Sequence, residues 1–321
     1  MDPITHGIIG IGIAAMSGET ELISPLTIGA VIGAMSPDID ILAKYRGNYE
    51  YLKHHRGETH SIFSVVGISI VISTVLNLIF PEYNFLNILL WTFLGAMSHV
   101  FFDALNSYGV RPLLPFKDKK YVAGLIMLYD PFISLLSIGL FYANISQTHK
   151  IMIGIGSTAI YLAHRYIVKK EMFTILADYY ELNEDEKLYV LPSLINIFKW
   201  DYIVEKQNYK VRGRINFLNE RPVEIERFYE QKDIEIEREK IIQTAYNSEL
   251  GRYFDEFTSS INHVDIVKKD DQIQLDIIDL RYYMNDDYMH HASFIYDENM
   301  ELKKSVFRPY KYEKGIIVSE S

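Results

Sequence analysis

The chain has 321 residues, carries a formal net charge of −10 and contains no cysteine. Disulfide frameworks and thiolate metal sites are therefore excluded, so that any metal must be held by His, Asp or Glu. The acidic excess lies after residue 170, where 20 Lys and Arg stand against 31 Asp and Glu. Because an acidic domain repels a phosphate backbone, we expect no nucleic-acid partner.

The first part of the chain has the pattern of a helical membrane domain. Asp2 and Pro3 are typical of a helix start. The short apolar stretches 8–16 and 23–35 are rich in Gly and Ala, which favours a tightly packed helical pair. Longer apolar stretches follow at 61–80, 85–102, 121–143 and 151–168. Since about 20 apolar residues cross a bilayer, the sequence predicts four or more spans after the short pair.

Basic residues alternate along the segments that connect these stretches. Lys and Arg cluster in segments 41–60, 111–120 and 165–170, whereas the three alternate connections contain one basic residue among them. The positive-inside rule then predicts that the clustered segments face the cytoplasm. With an even number of crossings, the N-terminus and the domain after residue 170 are cytoplasmic as well.

Residues 171–321 have the pattern of a small soluble α+β or mostly-β domain. Strands are predicted by near-alternation with β-branched and aromatic residues at 200–218, 272–283 and 291–307. Residues 175–198 favour a helix broken at Pro192, and the charged segment 223–240 is ambiguous. We therefore predict a membrane-embedded domain over 1–170 and an acidic cytoplasmic domain over 171–321, the latter available to a protein partner.

Polar side chains that suit metal coordination gather at one predicted depth of the membrane domain. A charged residue at the centre of a span costs about 2.5–3.5 kcal/mol, so the positions of such residues are informative. The candidate metal ligands lie at the predicted cytoplasmic ends of the helices and are His6, Asp38, Asp40, His55, His60, His99 and Asp103. Asp130 lies deeper, within the predicted span 121–143. Mixed His and Asp ligands suit zinc, and also Mn or Fe.

The local spacings also fit coordination. His99 and Asp103 are four residues apart and so share a helix face, which Asn106 continues. Asp38 and Asp40 offer two carboxylates that could hold or bridge metal ions. Each motif has an ordinary explanation as well: a helix hydrogen bond, a helix start, or a basic loop at lipid headgroups. The common depth of all the motifs favours the metal site.

The motifs ITHGIIGIGIA, SPDID, HRGETHS, SHVFFDALNSYGVRPLLPF and YDPF occur in this order. Together they resemble the YdjM-type family of metal-dependent hydrolases of the bacterial inner membrane, over about residues 1–170. The acidic domain resembles the tails of longer members found in Bacillus-like bacteria. The family pattern falls on His6, Asp38, Asp40, His55, Arg56, His60, His99, Asp103 and Asn106. The family is in turn similar to zinc-dependent phospholipases C and P1-type nucleases, helical enzymes that cleave phosphate esters with clustered zinc ions.

We therefore expect a membrane-bound hydrolase with two or three zinc ions, acting on a phosphoester of a lipid or another membrane-associated substrate. Asp40 or Asp130 would orient or deprotonate the attacking water, Arg56 would contact the phosphate, and Asn106 completes the expected catalytic set. Two alternatives stay open. Intramembrane His and Asp also mark ion pathways, which favours a metal transporter, and a structural metal would suit a non-catalytic membrane anchor or regulator.

Overall fold

The computed structural model describes residues 2–39, 58–229, 235–269, 272–284, 286–308 and 316–318. The chain divides into two compact units. Described residues of the first unit are 2–39, 58–172 and 191–200. Those of the second are 173–190 and the described residues after 200.

Helices make up most of the first unit. In chain order they are α1 (Pro3–Met16), α2 (Pro25–Met35), α3 (Ile62–Ile79), α4 (Phe85–Leu105), α5 (Pro131–Tyr142) and α6 (Gln147–Tyr179), whose last residues belong to the second unit. A 3-10 turn follows α2 at 36–39, and another precedes α3 at Glu58–His60. The predicted start of α1 is confirmed, because the Asp2 side chain accepts hydrogen bonds from the backbone N–H groups of Ile4 and Thr5.

Three of the described helices, α3, α4 and α6, are long and apolar enough to cross a membrane. The outer surface of α3 suits lipid, since it exposes large apolar side chains along its length, among them Phe63, Val71 and Leu78. Such a surface is costly in water and is matched by lipid tails. The first unit is thus a helical membrane unit with shorter apolar helices beside its candidate spans.

The predicted span 121–143 is wrong as a single helix. Only Pro131–Tyr142 is helical, 12 residues in all. Asp130 caps this helix and Pro131 occupies its first turn, which together form a strong helix start. The residues before it belong to a connection in which Tyr121 pairs with Val110. Asp130 therefore lies at a helix start and not in the middle of a span.

Small residues bring α1, α2 and α4 close together, as the Gly and Ala content predicts. A Cβ atom on Gly10 would lie 2.8 Å from the carbonyl oxygen of Ala30. A Cβ atom on Gly33 or Gly95 would collide with the carbonyl oxygens of Thr92 and Ala30, respectively. Glycine is needed at these positions because the backbones approach so closely. As a result, α2 carbonyl groups come within reach of side chains on α4.

The strands after α6 form two larger sheets and a short hairpin. The first sheet has the order β1-β2-β3-β4, with β1 (Lys187–Pro192), β2 (Lys199–Glu205), β3 (Tyr209–Asn216) and β4 (Pro222–Tyr229). The second has the order β11-β10-β9-β6-β5, with β5 (Asn262–Lys269), β6 (Gln272–Asp279), β9 (His291–Tyr296), β10 (Leu302–Arg308) and β11 (Ile316–Val318). The hairpin pairs β7 (Tyr283–Met284) with β8 (Asp287–Tyr288).

Two helices, α7 (Glu235–Asn247) and α8 (Glu249–Thr258), cover the second sheet. On α8 the buried Leu250, Phe254 and Thr258 recur every four residues, so they form the stripe that faces the strands. Opposite them, Leu275 and Phe294 are fully buried. This apolar layer is the core of the second unit.

The predicted strands are confirmed, since β3, β6 and β9 lie within the three predicted segments, and β2 and β10 each extend one residue beyond them. The predicted helix over 175–198 is wrong beyond Tyr179, because residues Lys187–Pro192 form β1. Glu181 adopts a φ of 48°, a left-handed conformation that ends a helix. The ambiguous segment 223–240 contains most of β4 and the start of α7.

Candidate metal centre

Four buried side chains converge on one point in the first unit: Asp38, His60, His99 and Asp103. Each offers one ligand atom, and these atoms all lie within 4.8 Å of one another. The turn after α2 contributes one residue, the turn before α3 another, and α4 contributes two. Residues far apart in the chain therefore meet at the ends of three elements.

The separations between imidazole nitrogens and carboxylate oxygens here are close to those around a tetrahedral ion. Nε2 of His60 lies 3.1 Å from Nε2 of His99. Each of these nitrogens lies 3.5–3.6 Å from Oδ1 of Asp38 and from Oδ2 of Asp103. Nitrogen and oxygen ligands about 2.0–2.2 Å from a tetrahedral zinc ion are roughly 3.3–3.6 Å apart. The donor set and its spacing therefore fit one divalent ion.

A neighbour holds the other ring nitrogen of each histidine. Nδ1 of His99 lies 2.6 Å from the carbonyl oxygen of Ala34 on α2. A carbonyl only accepts, so Nδ1 carries the proton and Nε2 offers its lone pair to the centre. Nδ1 of His60 lies 3.0 Å from Oγ1 of Thr59. Such outer partners fix the ring orientation of metal-binding histidines.

Asp103 presents its two carboxylate oxygens to different neighbours. Oδ2 faces His60 and His99, whereas Oδ1 lies 3.3 Å from Nε2 of His6. The ring of His6 stacks on that of His99, with centroids 3.5 Å apart. Asp103 is thus placed to join His6 to the group of four.

Asn106 holds this carboxylate in position. Its Nδ2 donates to Oδ1 of Asp103 at 2.9 Å, and its Oδ1 accepts the backbone N–H groups of Tyr108 and Gly109. Because the backbone groups are donors, the amide oxygen must face them and the amide nitrogen must face Asp103. Asn106 is therefore a positioning residue in this arrangement.

The structure brings together six of the residues proposed from the sequence: His6, Asp38, His60, His99, Asp103 and Asn106. The candidates Asp40, His55 and Arg56 lie outside the described residues.

Within the described part of the chain, Asp130 does not join this group. Its Oδ1 accepts the N–H of Ile133 at the start of α5, and its Oδ2 accepts the hydroxyl of Tyr161 at 2.7 Å. Thr59 and Ala34 are not among the residues proposed from the sequence. For Thr59 a signal existed, because a hydroxyl next to a candidate ligand can reach its ring. The carbonyl of Ala34 has no sequence signal, since every residue has one.

Comparisons with known proteins agree with both units. The family model described as YdjM inner membrane protein matches residues 1–172, which confirms the resemblance carried by the motifs. A second model, described as YfhP C-terminal alpha/beta plait domain, matches residues 240–315.

A relative from Bacillus subtilis (strain 168), whose printed name is "Uncharacterized protein YfhP", is 32% identical over 208 residues. The match covers 60% of this chain and 62% of that protein, which is less than two thirds of its length. No solved structure matches the chain.

Proposed function

Because the chain belongs to the YdjM inner membrane protein family, we propose that its buried His and Asp group is the active centre of a membrane-bound, metal-dependent hydrolase. The proposed reaction is hydrolysis of a phosphoester in a lipid or another membrane-associated substrate. The convergence of two imidazole nitrogens and two carboxylate oxygens, all within 4.8 Å of one another, is the observation that carries this proposal.

Asp38, His60, His99 and Asp103 would hold the ion. When bound, a divalent ion supplies Lewis acidity, which lowers the pKa of water to about 7 and offsets charge on a phosphoryl oxygen. Zinc suits this donor set, and Mn or Fe is also compatible with it. The buried position limits access of bulk water, which strengthens electrostatic interactions at the centre.

The two-sided contacts of Asp103 support a second ion. His6 faces Oδ1 of this carboxylate, whereas Oδ2 faces His60 in the group of four. We propose that Asp40 and His55, which lie outside the described residues, are further metal ligands. We further propose that Asp40 orients the attacking water and that Arg56 contacts the phosphate oxygens, as guanidinium groups do in bidentate pairs.

Measurements of metal content and turnover test the proposal. Full-length protein in nanodiscs should hold at least one divalent ion and should hydrolyse bis(4-nitrophenyl) phosphate. His60→Ala and Asp103→Ala should abolish this turnover, whereas His149→Ala, at an exposed histidine, is the matched control. Absence of bound metal, or full turnover in both site variants, would show the proposal to be wrong.

A structural ion in a non-catalytic anchor is the second candidate, because four protein ligands can close a tetrahedral shell. In that case the wild type binds metal but hydrolyses no phosphoester, and His60→Ala lowers only stability. Transport has less support. It needs ligands staggered across the bilayer, whereas these four ligand atoms surround one point.

We also propose that the N-terminus and the second unit face the cytoplasm, on the strength of the basic clusters at 111–120 and 165–170. The absence of cysteine makes this testable without background labelling. A membrane-impermeant maleimide should label Glu82→Cys in intact cells and Lys117→Cys only after permeabilisation. Both positions are exposed. The reverse labelling pattern would exclude this orientation.

A further inference from the structure

An apolar groove lies beside the candidate metal centre. Its volume is about 630 Å³, which falls within the roughly 300–1,000 Å³ of small-molecule sites. Helices α1, α4, α5 and α6 form its walls, and nearly all of the lining is apolar. The lining residues Phe101 and Ile155 are 49% and 61% exposed. The groove is therefore accessible from the lipid-facing surface of these helices.

One face of α1 connects the groove with the metal centre. His6, Ile9, Ile13 and Met16 recur at intervals of three and four residues, so they lie along a single stripe. The last three line the groove, and His6 contacts Asp103. The groove therefore begins one helical turn from the centre.

Helix α4 also connects the groove with the metal centre. Phe102 lines the groove, and the next residue, Asp103, belongs to the metal centre. Further back along the same helix, Trp91 lines the groove as well. At 1.5 Å per residue, Trp91 lies about 18 Å from Asp103 along the axis.

The length of the groove fits one leaflet of a bilayer. Between His6 and Met16, α1 rises about 15 Å. Half of a hydrocarbon core about 30 Å thick is also about 15 Å. A lipid with its phosphate at the metal centre would therefore find an apolar channel as deep as its own leaflet.

We propose that this groove binds an acyl chain of a phospholipid substrate and so selects membrane phosphoesters over soluble ones. This inference rests on the proposed hydrolase function. The hydroxyl of Ser98 in the wall does not oppose an acyl chain, because it donates to the carbonyl oxygen of Gly95 at 2.6 Å. An acyl chain gains dispersion contacts along the whole wall.

Tryptophan fluorescence can test occupancy directly. The chain has two tryptophans, so Trp200→Phe leaves Trp91 as the only tryptophan. Trp91 lines the groove and is 9% exposed. In nanodiscs of phosphatidylglycerol brominated on its acyl chains, Trp91 should be quenched relative to unbrominated lipid. Thr158→Phe, at a lining residue, should abolish most of this quenching. Thr74→Phe makes the same change on an exposed part of α3 outside the groove and should leave quenching intact. If Trp91 is unquenched, or if both variants behave alike, the groove does not bind acyl chains.

Turnover separates failure of the groove from failure of the function. If both proposals hold, Thr158→Phe raises KM for a long-chain phospholipid by about tenfold or more, as loss of apolar pocket contacts does. Hydrolysis of bis(4-nitrophenyl) phosphate stays unchanged. If Thr158→Phe removes the quenching but the wild type hydrolyses neither substrate, the groove is supported as a lipid site and the hydrolase is excluded. If Thr158→Phe leaves the quenching intact and the wild type hydrolyses both substrates, binding of acyl chains in the groove is excluded and the hydrolase is supported.

Discussion

The two units bury aspartate beside histidine in different ways. In the second unit, Asp279 accepts hydrogen bonds from Arg281 at 2.9 and 2.8 Å, and Nδ1 of His290 lies 3.6 Å away. In the first unit, Asp103 faces three histidines at 3.3–3.6 Å. A guanidinium always carries its charge, whereas an imidazole carries one only when protonated. The second unit thus supplies a permanent counter-charge from its own chain.

This difference distinguishes a structural ion pair from a candidate metal centre. A buried charge is tolerated when it is paired, and Arg281 pairs Asp279 while also donating to the carbonyl oxygen of Phe257. In the first unit, two carboxylates, on Asp38 and Asp103, converge with imidazole nitrogens. A divalent ion balances two carboxylates and leaves the imidazoles neutral, which is the state in which they bind metal.

Asp103→Ala should give the largest effect, because this carboxylate contacts every histidine of the centre. Loss of an outer partner lowers metal affinity by about 10–100-fold, and loss of the ligand itself should exceed that and leave the purified protein without bound ion. Elemental analysis of protein in nanodiscs checks this result. Asp118→Ala is the control, since Asp118 is 66% exposed and pairs with Arg111. Metal retained in Asp103→Ala would show that this carboxylate is not an essential ligand.

Arg281→Met should destabilise the second unit by about 3–5 kcal/mol, because it leaves a buried carboxylate without its main partner. Adding Asp279→Asn should recover part of this loss, since the uncompensated charge is then gone. Hydrogen exchange of the β6 and β9 amides in the full chain measures the effect. Metal content should not change in either variant. A loss of bound metal would show that the Asp279 pair also supports the centre in the first unit.

Acid should weaken the second unit through the same residue. Burial alone raises the pKa of Asp279, but Arg281 and His290 outweigh it and hold that pKa well below its usual range. The stabilisation is present in full above the ordinary Asp pKa of about 3.9 and is lost as pH falls toward the folded-state value. Exchange protection of β6 should therefore drop below about pH 4. In Asp279→Asn this drop in protection should be smaller. If the variant has the same pH profile as the wild type, the drop comes from other groups.

Interactions between neighbours in the chain were predictable. Asp2 and Pro3 mark the start of α1, and the four-residue spacing of His99 and Asp103 places both on one face of α4. The meeting of Asp38 with His99 required a further premise, that helix ends on one side of a membrane lie at one depth. With that premise the sequence places Asp38, His60, His99 and Asp103 near one another, and the structure brings these four side chains together.

Other contacts between distant segments were not predictable from local patterns. Apolar composition over 121–143 does not distinguish a span from an apolar connection, and the start signal at Asp130 and Pro131 decided the outcome. Tyr161, which binds Asp130, is 31 residues away. Likewise, the carbonyl of Ala34 reaches His99 across 65 residues. That contact depends on close packing of helices at glycines. A local glycine pattern indicates such packing but does not identify the helix that packs there.

Thr59→Val should give the smallest effect on metal binding. The carbonyl that orients His99 belongs to the backbone and survives any substitution, whereas the hydroxyl that lies 3.0 Å from Nδ1 of His60 can be removed with little change of shape. We expect metal affinity to fall by about tenfold, or about 1.4 kcal/mol, as for other outer partners. Competition with a chelator measures this change, and Thr59→Ser should restore the affinity because it keeps the hydroxyl. Equal affinity in Thr59→Val and the wild type would mean that packing alone orients His60, so that His60 and His99 are held by unlike means.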